Sequence, residues 1–172
     1  MDFSNHSITD LAAIIIEHLN EAGIEVVLVG GLAVEIYTEN LYLTKDIDIV
    51  NVNYQKPAVL KKEMSVLGFH KRGRIFVNDT TDICVEFPTA PLSVGDDLIT
   101  ETTTFKIGDK TIPILKVNDI VKDRLAAFIH WKDNQSLVQA VAIMVKHKLY
   151  PIAFESFCLK EGNLNNFELL QK

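Results

Sequence analysis

Between Leu28 and Val50 the chain reads LVGGLAVEIYTENLYLTKDIDIV, and no other stretch restricts the fold as strongly. The valine-rich run Glu25 to Val29 ends at Gly30-Gly31, which predicts a short buried strand followed by a turn. Leu32 to Tyr37 then reads as a helix. After a polar connection, Asp46-Ile47-Asp48-Ile49-Val50 alternates acids with branched apolar residues, the period of a strand with one polar and one buried face. Residues two apart on a strand point the same way, so Asp46 and Asp48 project together, opposite Ile47 and Ile49. Glycine lets a backbone approach a ligand closely, and free amides at a helix start attract anions. Gly30 and Gly31 are therefore expected to cradle a polyphosphate. Two neighbouring carboxylates repel unless a cation joins them, and hard oxygen donors suit Mg²⁺ or Mn²⁺, which share their coordination shell with substrate phosphates.

The flanking sequence predicts an α/β (α+β) chain with a mixed sheet and a C-terminal helical part. Ser7 to Asp10 offers a cap, Leu11, Ile14, Ile15 and Leu19 form an apolar stripe, and Gly23 is a stop, which together predict a first helix. Pro57 to Leu67 reads as a helix closed by Gly68. Arg74 to Val77 and Asp82 to Phe87 read as strands across the Asn78-Asp79-Thr80-Thr81 turn, and Thr102 to Ile107 with Thr111 to Leu115 as a second hairpin. From Val117 the pattern is helical: Asn118 is expected to cap a helix to about Trp131, Asn134 another to about Lys148, and Pro151 opens a third, with a last short turn from Asn163. The expected organisation is an α/β core over 1–116 and packed helices over 117–172, in one continuous globular unit.

Composition excludes several functions. Of 172 residues, 48% are hydrophobic and 23% charged, enough to build a core. Seventeen Lys and Arg against twenty-three Asp and Glu give a net charge of −6, which opposes tight nonspecific binding to DNA or RNA. The apolar runs Leu11 to Ile16 and Val26 to Val29 are far shorter than the roughly 18 residues of a membrane span, and Met1-Asp2 opens no secretory signal, so a cytoplasmic chain without membrane contact is expected. Cys84 and Cys158 form no metal-binding pattern and are expected as buried thiols. Trp131 is expected at the edge of the core, and the five histidines show no zinc-ligand spacing.

A third acid comes from the strand Asp82 to Phe87, where Asp82, Cys84 and Glu86 share one face. Three acids from two strands suit a two-metal phosphoryl or nucleotidyl transfer site, and the parity leaves Asp82 and Glu86 as alternatives for the third position. Thr44 and Lys45, just before the acidic strand, are candidates for holding terminal phosphates. Arg124 interrupts the apolar stripe Val117, Val121, Phe128 and has to find an anion or a surface edge; Lys122 and Asp133 pose the same choice. The Asp-x-Asp motif also occurs in sugar transferases, but the strand-ending glycines fit a triphosphate better.

These residues resemble the nucleotidyltransferase superfamily, with its polymerase β-like fold. The stretches VEFPTAPLSVGD and VKDRLAAFIHWKDNQSLVQAV are similar to a bacterial branch of small nucleotidyltransferase-like proteins, related in layout to abortive-infection and toxin–antitoxin enzymes. The resemblance covers about Val26 to Val145. It implies metal ligands at Asp46, Asp48 and Glu86, two Mg²⁺ or Mn²⁺ ions with NTP such as ATP bound, and nucleotide contacts at Gly30, Gly31, Thr44, Lys45, Lys122 and Arg124. The implied reaction moves NMP from an NTP to a hydroxyl on an RNA end, protein or small molecule, releasing pyrophosphate. The implied alternative is a non-catalytic nucleotide- or protein-binding member, a toxin–antitoxin or regulatory partner. Many members carry Gly-Ser where this chain has Gly30-Gly31, and Glu86 is one methylene longer than Asp.

Overall fold

The computed structural model describes residues 1–171. In chain order the elements are α1 (Ile8–Glu21), β1 (Val26–Val29), α2 (Gly30–Tyr37), β2 (Asp46–Asn51), α3 (Pro57–Val66), β3 (His70–Arg72), β4 (Ile75–Asn78) and β5 (Thr81–Glu86). They continue with β6 (Ser93–Val94), β7 (Asp97–Leu98), β8 (Thr103–Ile107), β9 (Lys110–Ile114), α4 (Val117–Trp131), α5 (Asn134–Lys146), α6 (Glu155–Glu161) and α7 (Leu164–Gln171), with a 3₁₀ turn over Pro151–Phe154.

Seven strands form one mixed sheet in the order β3-β4-β5-β2-β1-β9-β8, and β6 with β7 makes a separate small hairpin. Two pairings position the site. β1 runs antiparallel to β2 with Val29 opposite Asp48, so the glycines that end β1 lie beside the acids of β2. β2 runs parallel to β5 with Asp46 opposite Cys84 and Asp48 opposite Glu86. Ile47, Ile49 and Val85, on the other parity, are wholly or almost wholly buried, each contributing about 1.5–3 kcal/mol by leaving water. That burial fixes the register, because a one-residue slip would turn the isoleucines out and the acids in. The core runs on into the C-terminal helices through Leu125, Ile143, Phe154, Phe157 and Phe167.

Several elements differ from the sequence reading. β3 adds a third strand to the β4–β5 meander; its three residues are all exposed, so no apolar alternation marked it. The β6–β7 hairpin turns on Gly95-Asp96, with strands too short for a periodicity. α5 is capped by Asp133, which accepts from the Gln135 amide at 3.0 Å and the Ser136 hydroxyl at 2.7 Å, so Asp133 serves as a cap and Asn134 is the first helical residue. Lys116, not Asn118, precedes α4 as its N-cap residue. The expected last turn is the two-turn helix α7. Trp131 is 82% exposed at the last position of α4, away from the core edge expected for it. Cys158 is buried, whereas Cys84 is half-buried and faces the acids. Among the described residues no helix is long and apolar enough to cross a membrane.

Candidate functional site

Asp48 of β2 and Glu86 of β5 open onto a cleft of about 330 Å³ whose walls include Gly30, Leu92, Ser93 and Arg124, while Asp46 stands exposed at the start of β2, outside those walls. Gly30 is held at φ +64°, and a Cβ there would stand 2.2 Å from Asp48 Oδ2. Only glycine therefore lets the start of α2 lie against this carboxylate. Burial pushes the Asp48 carboxyl up to about 6, with Glu86 and Asp46 adding to the rise, while the Gly31 amide and Arg124 draw it back. Three acids thus meet Arg124 on the cleft wall and Arg74, whose Nε lies 3.9 Å from Glu86 Oε1, and the negative excess is the electrostatic signature of a site that takes up positive charge.

Divalent-ion binding fits this donor set. The three carboxylates supply only hard oxygens, and the repulsion that Glu86 and Asp46 exert on Asp48 is what a cation would offset. Asp46 Oδ1 accepts from Cys84 Sγ at 2.8 Å, and no three His, Cys, Asp or Glu side chains among the described residues are already gathered as a metal cage. Burial first, then the bond to Asp46, pushes the Cys84 thiol up to about 11, so it stays a neutral donor near pH 7.

The other sequence candidates divide. Arg124 reaches the cleft wall, its Nε donating to Asp123 Oδ2 at 3.0 Å on a half-buried pair. Thr44 packs over Gly31, accepts the Asp46 amide at 3.2 Å, and is anchored by its own amide to buried Glu35 at 2.9 Å. Lys45 is not brought to the cleft: it pairs with Asp82, and both side chains stand about 70% exposed (69% and 71%). Asp82 is thereby drawn off as well, leaving Glu86 as the acid in register with Asp48. Lys122 faces elsewhere, since two positions along α4 from Arg124 is more than half a helical turn. It lines a larger cavity of about 740 Å³ with Tyr37, Glu101, Lys116 and Asp119. In that cavity Glu101 pairs with Lys116 and Asp119 lies 3.7 Å from Lys122, so no carboxylate there lacks a cation. Sequence reasoning missed Ser93 and Asp123 as cleft residues; both need the long-range packing of the hairpin and α4 to be seen.

Residues 8–65 match the family model described as "Nucleotidyl transferase of unknown function (DUF2204)", a span that holds both glycines and both β2 acids but not Glu86. Delta-1-pyrroline-5-carboxylate synthase of Mesembryanthemum crystallinum is 28% identical over 148 residues, 78% of this chain and 20% of that protein. The chain thus spans about a fifth of the length of that relative. The crystal structure of ANT(2'')-Ia in complex with adenylyl-2''-tobramycin superposes with a TM-score of 0.60 at 14% identity, covering 88% of this chain and 94% of that one. The solution structure of the antibiotic-resistance factor ANT(2'')-Ia gives 0.50 at 16%, covering 95% and 89%. The fold, a mixed sheet flanked by helices, is similar to that of ANT(2'')-Ia.

Proposed function

We propose that this protein is a metal-dependent nucleotidyltransferase that moves NMP from an NTP to a hydroxyl acceptor. The observation that carries the reading is the placement of Asp48 and Glu86 in register beside a glycine that ends β1 and starts a helix. Gly30 brings its backbone to the triphosphate at the cleft wall, the Gly31 amide being already engaged by Asp48, and Arg124 adds a guanidinium from the facing helix. Asp46, Asp48 and Glu86 are the residues that would hold Mg²⁺ or Mn²⁺. A divalent ion, when bound there, neutralises charge on the phosphates and makes the acceptor hydroxyl more acidic.

In the proposed reaction the acceptor oxygen bonds to the α-phosphorus, the bond to the bridging oxygen of pyrophosphate breaks, and the hydroxyl proton passes to a carboxylate oxygen of the cluster. A small-molecule acceptor is the favoured class, supported by ANT(2'')-Ia, whose structure holds an adenylylated tobramycin on the same fold. The chain's net charge of −6 weighs in the same direction against a polyanionic RNA acceptor.

The test is label transfer from α-labelled NTPs to small-molecule, RNA and protein fractions with Mg²⁺ present. Wild type is expected to label an acceptor, and Asp48→Asn to abolish that labelling with its fold intact; turnover like wild type in that variant would discard the mechanism. A second reading is a regulatory binder on the same fold, favoured by Gly31 standing where the resemblance has a serine. Calorimetry showing NTP binding with no labelled acceptor in any fraction would select it.

A further inference from the structure

We propose that Glu161, at the end of α6, is a positioning residue that clamps the β6–β7 hairpin to α4 and so sets the wall shared by the two clefts. The hairpin divides them. Leu92 and Ser93 at its start line the carboxylate cleft, and Leu98 and Ile99 at its end line the larger cavity. α4 borders the same two clefts through Arg124 and Lys122. A shift of the hairpin against α4 therefore reshapes both at once.

Glu161 holds the hairpin by its turn. Its side chain is 2% exposed, and each carboxylate oxygen is engaged by a different element: Oε1 accepts the Asp96 amide at 2.9 Å, and Oε2 lies 2.9 Å from His130 Nε2 on α4. Gly95 has φ +54°, and a Cβ there would stand 2.5 Å from the Glu161 carboxylate, so the turn rests directly on the acid. The Asp96 amide, then the His130 contact, hold the Glu161 carboxyl below its ordinary range, as expected for a fully partnered acid. Beside it Lys160 pairs with Asp97, an exposed contact that adds little.

Hydrogen exchange on the full chain tests the clamp without reference to activity. Glu161→Ala removes both contacts and is expected to speed exchange at Val94 to Asp97 by about tenfold or more, with β1 and β2 unchanged. Glu161→Gln keeps an acceptor for the Asp96 amide and a donor for the ring, and is expected to restore most of the protection. Gly95→Ala approaches from the other side, displacing the turn while leaving Glu161 and His130 together, and serves also if Glu161→Ala fails to fold. Lys160→Met is the neighbouring control and is expected to behave as wild type.

The kinetic consequence rests on the transferase reading. Because the hairpin shapes the clefts but carries none of the three acids, Glu161→Ala and Gly95→Ala are expected to raise KM by about tenfold while kcat stays within about twofold. Hairpin exchange like wild type in Glu161→Ala, a Gln variant no better than Ala, or faster exchange throughout the central sheet would overturn the clamp. A wild-type protein that neither binds nor transfers nucleotide would sink the transferase reading alone, and the exchange result would still decide the clamp.

Discussion

Asp48 and Glu161 are two secluded carboxylates, each pressed against a glycine at positive φ whose Cβ would collide with it, yet they titrate in opposite directions. Glu161 is met by an amide and an imidazole, and its carboxyl is held low. Asp48 is half-buried and faces two more acids, and its carboxyl is pushed up to about 6. The close backbone approach is common to both, so it does not by itself mark a functional site. What separates them is charge: Glu161 is balanced by its partners and is a fastener, whereas Asp48, though met by the Gly31 amide and Arg124, keeps two carboxylates beside it whose repulsion an arriving cation would offset.

The largest effect expected from that contrast is at Asp48. The folded protein retains a proton at Asp48 between about pH 4 and pH 6 that the unfolded chain has released, so this group lowers stability as pH rises through that window and costs most above it. Replacing it by Asn removes the charge, so Asp48→Asn is expected to lose transfer by about a thousandfold or more while gaining on the order of 2 kcal/mol at pH 7. Thermal melts across pH 4 to 8 should show the variant's advantage opening above about pH 5. A variant melting below wild type at pH 7 would break the comparison, because Asp48 would then be as well partnered as Glu161.

Gly30→Ala should act in the opposite sense on stability. The added Cβ must displace the Asp48 carboxylate in a left-handed backbone, which costs about 1–3 kcal/mol and is expected to reduce transfer about a hundredfold. Mg²⁺ gives a smaller, reversible version of the same argument. At ten times its dissociation constant it should stabilise wild type by about 1.4 kcal/mol at pH 7, less at pH 5, and Asp48→Asn hardly at all. An equal shift in the two proteins would place the ion elsewhere.

The cleft was more legible in the sequence than the clamp for physical reasons. Strand parity alone puts Asp46 with Asp48 and Glu86 with Cys84, and the glycine pair marks the end of β1. Parity could not decide between Asp82 and Glu86, because that choice depends on how far β5 slides along β2, which the packing of Ile47, Ile49 and Val85 determines. Glu161 left no local signal: its partners Asp96 and His130 lie 65 and 31 residues away, on a two-residue strand turn and an ordinary helix. Adjacency of Lys45 to the acidic strand says nothing about which neighbour engages a long flexible cation, and Asp82 across the strand pair engages it.

Asp82 is the sharpest small-effect control, since it shares the face of Glu86 on one strand and differs only in position. Its carboxyl is held below the ordinary range by the Lys45 hydrogen bond, the pair stands in solvent, and salt screens what remains. Asp82→Asn is therefore expected to leave transfer within about twofold and the melting temperature within about a degree, whereas Glu86→Gln should cost transfer about a hundredfold. Assaying both variants at matched Mg²⁺ asks whether register, rather than the mere presence of an acid on this face, makes the site. A large loss in Asp82→Asn with a small one in Glu86→Gln would move the third carboxylate four residues along β5, to the acid that Lys45 now holds.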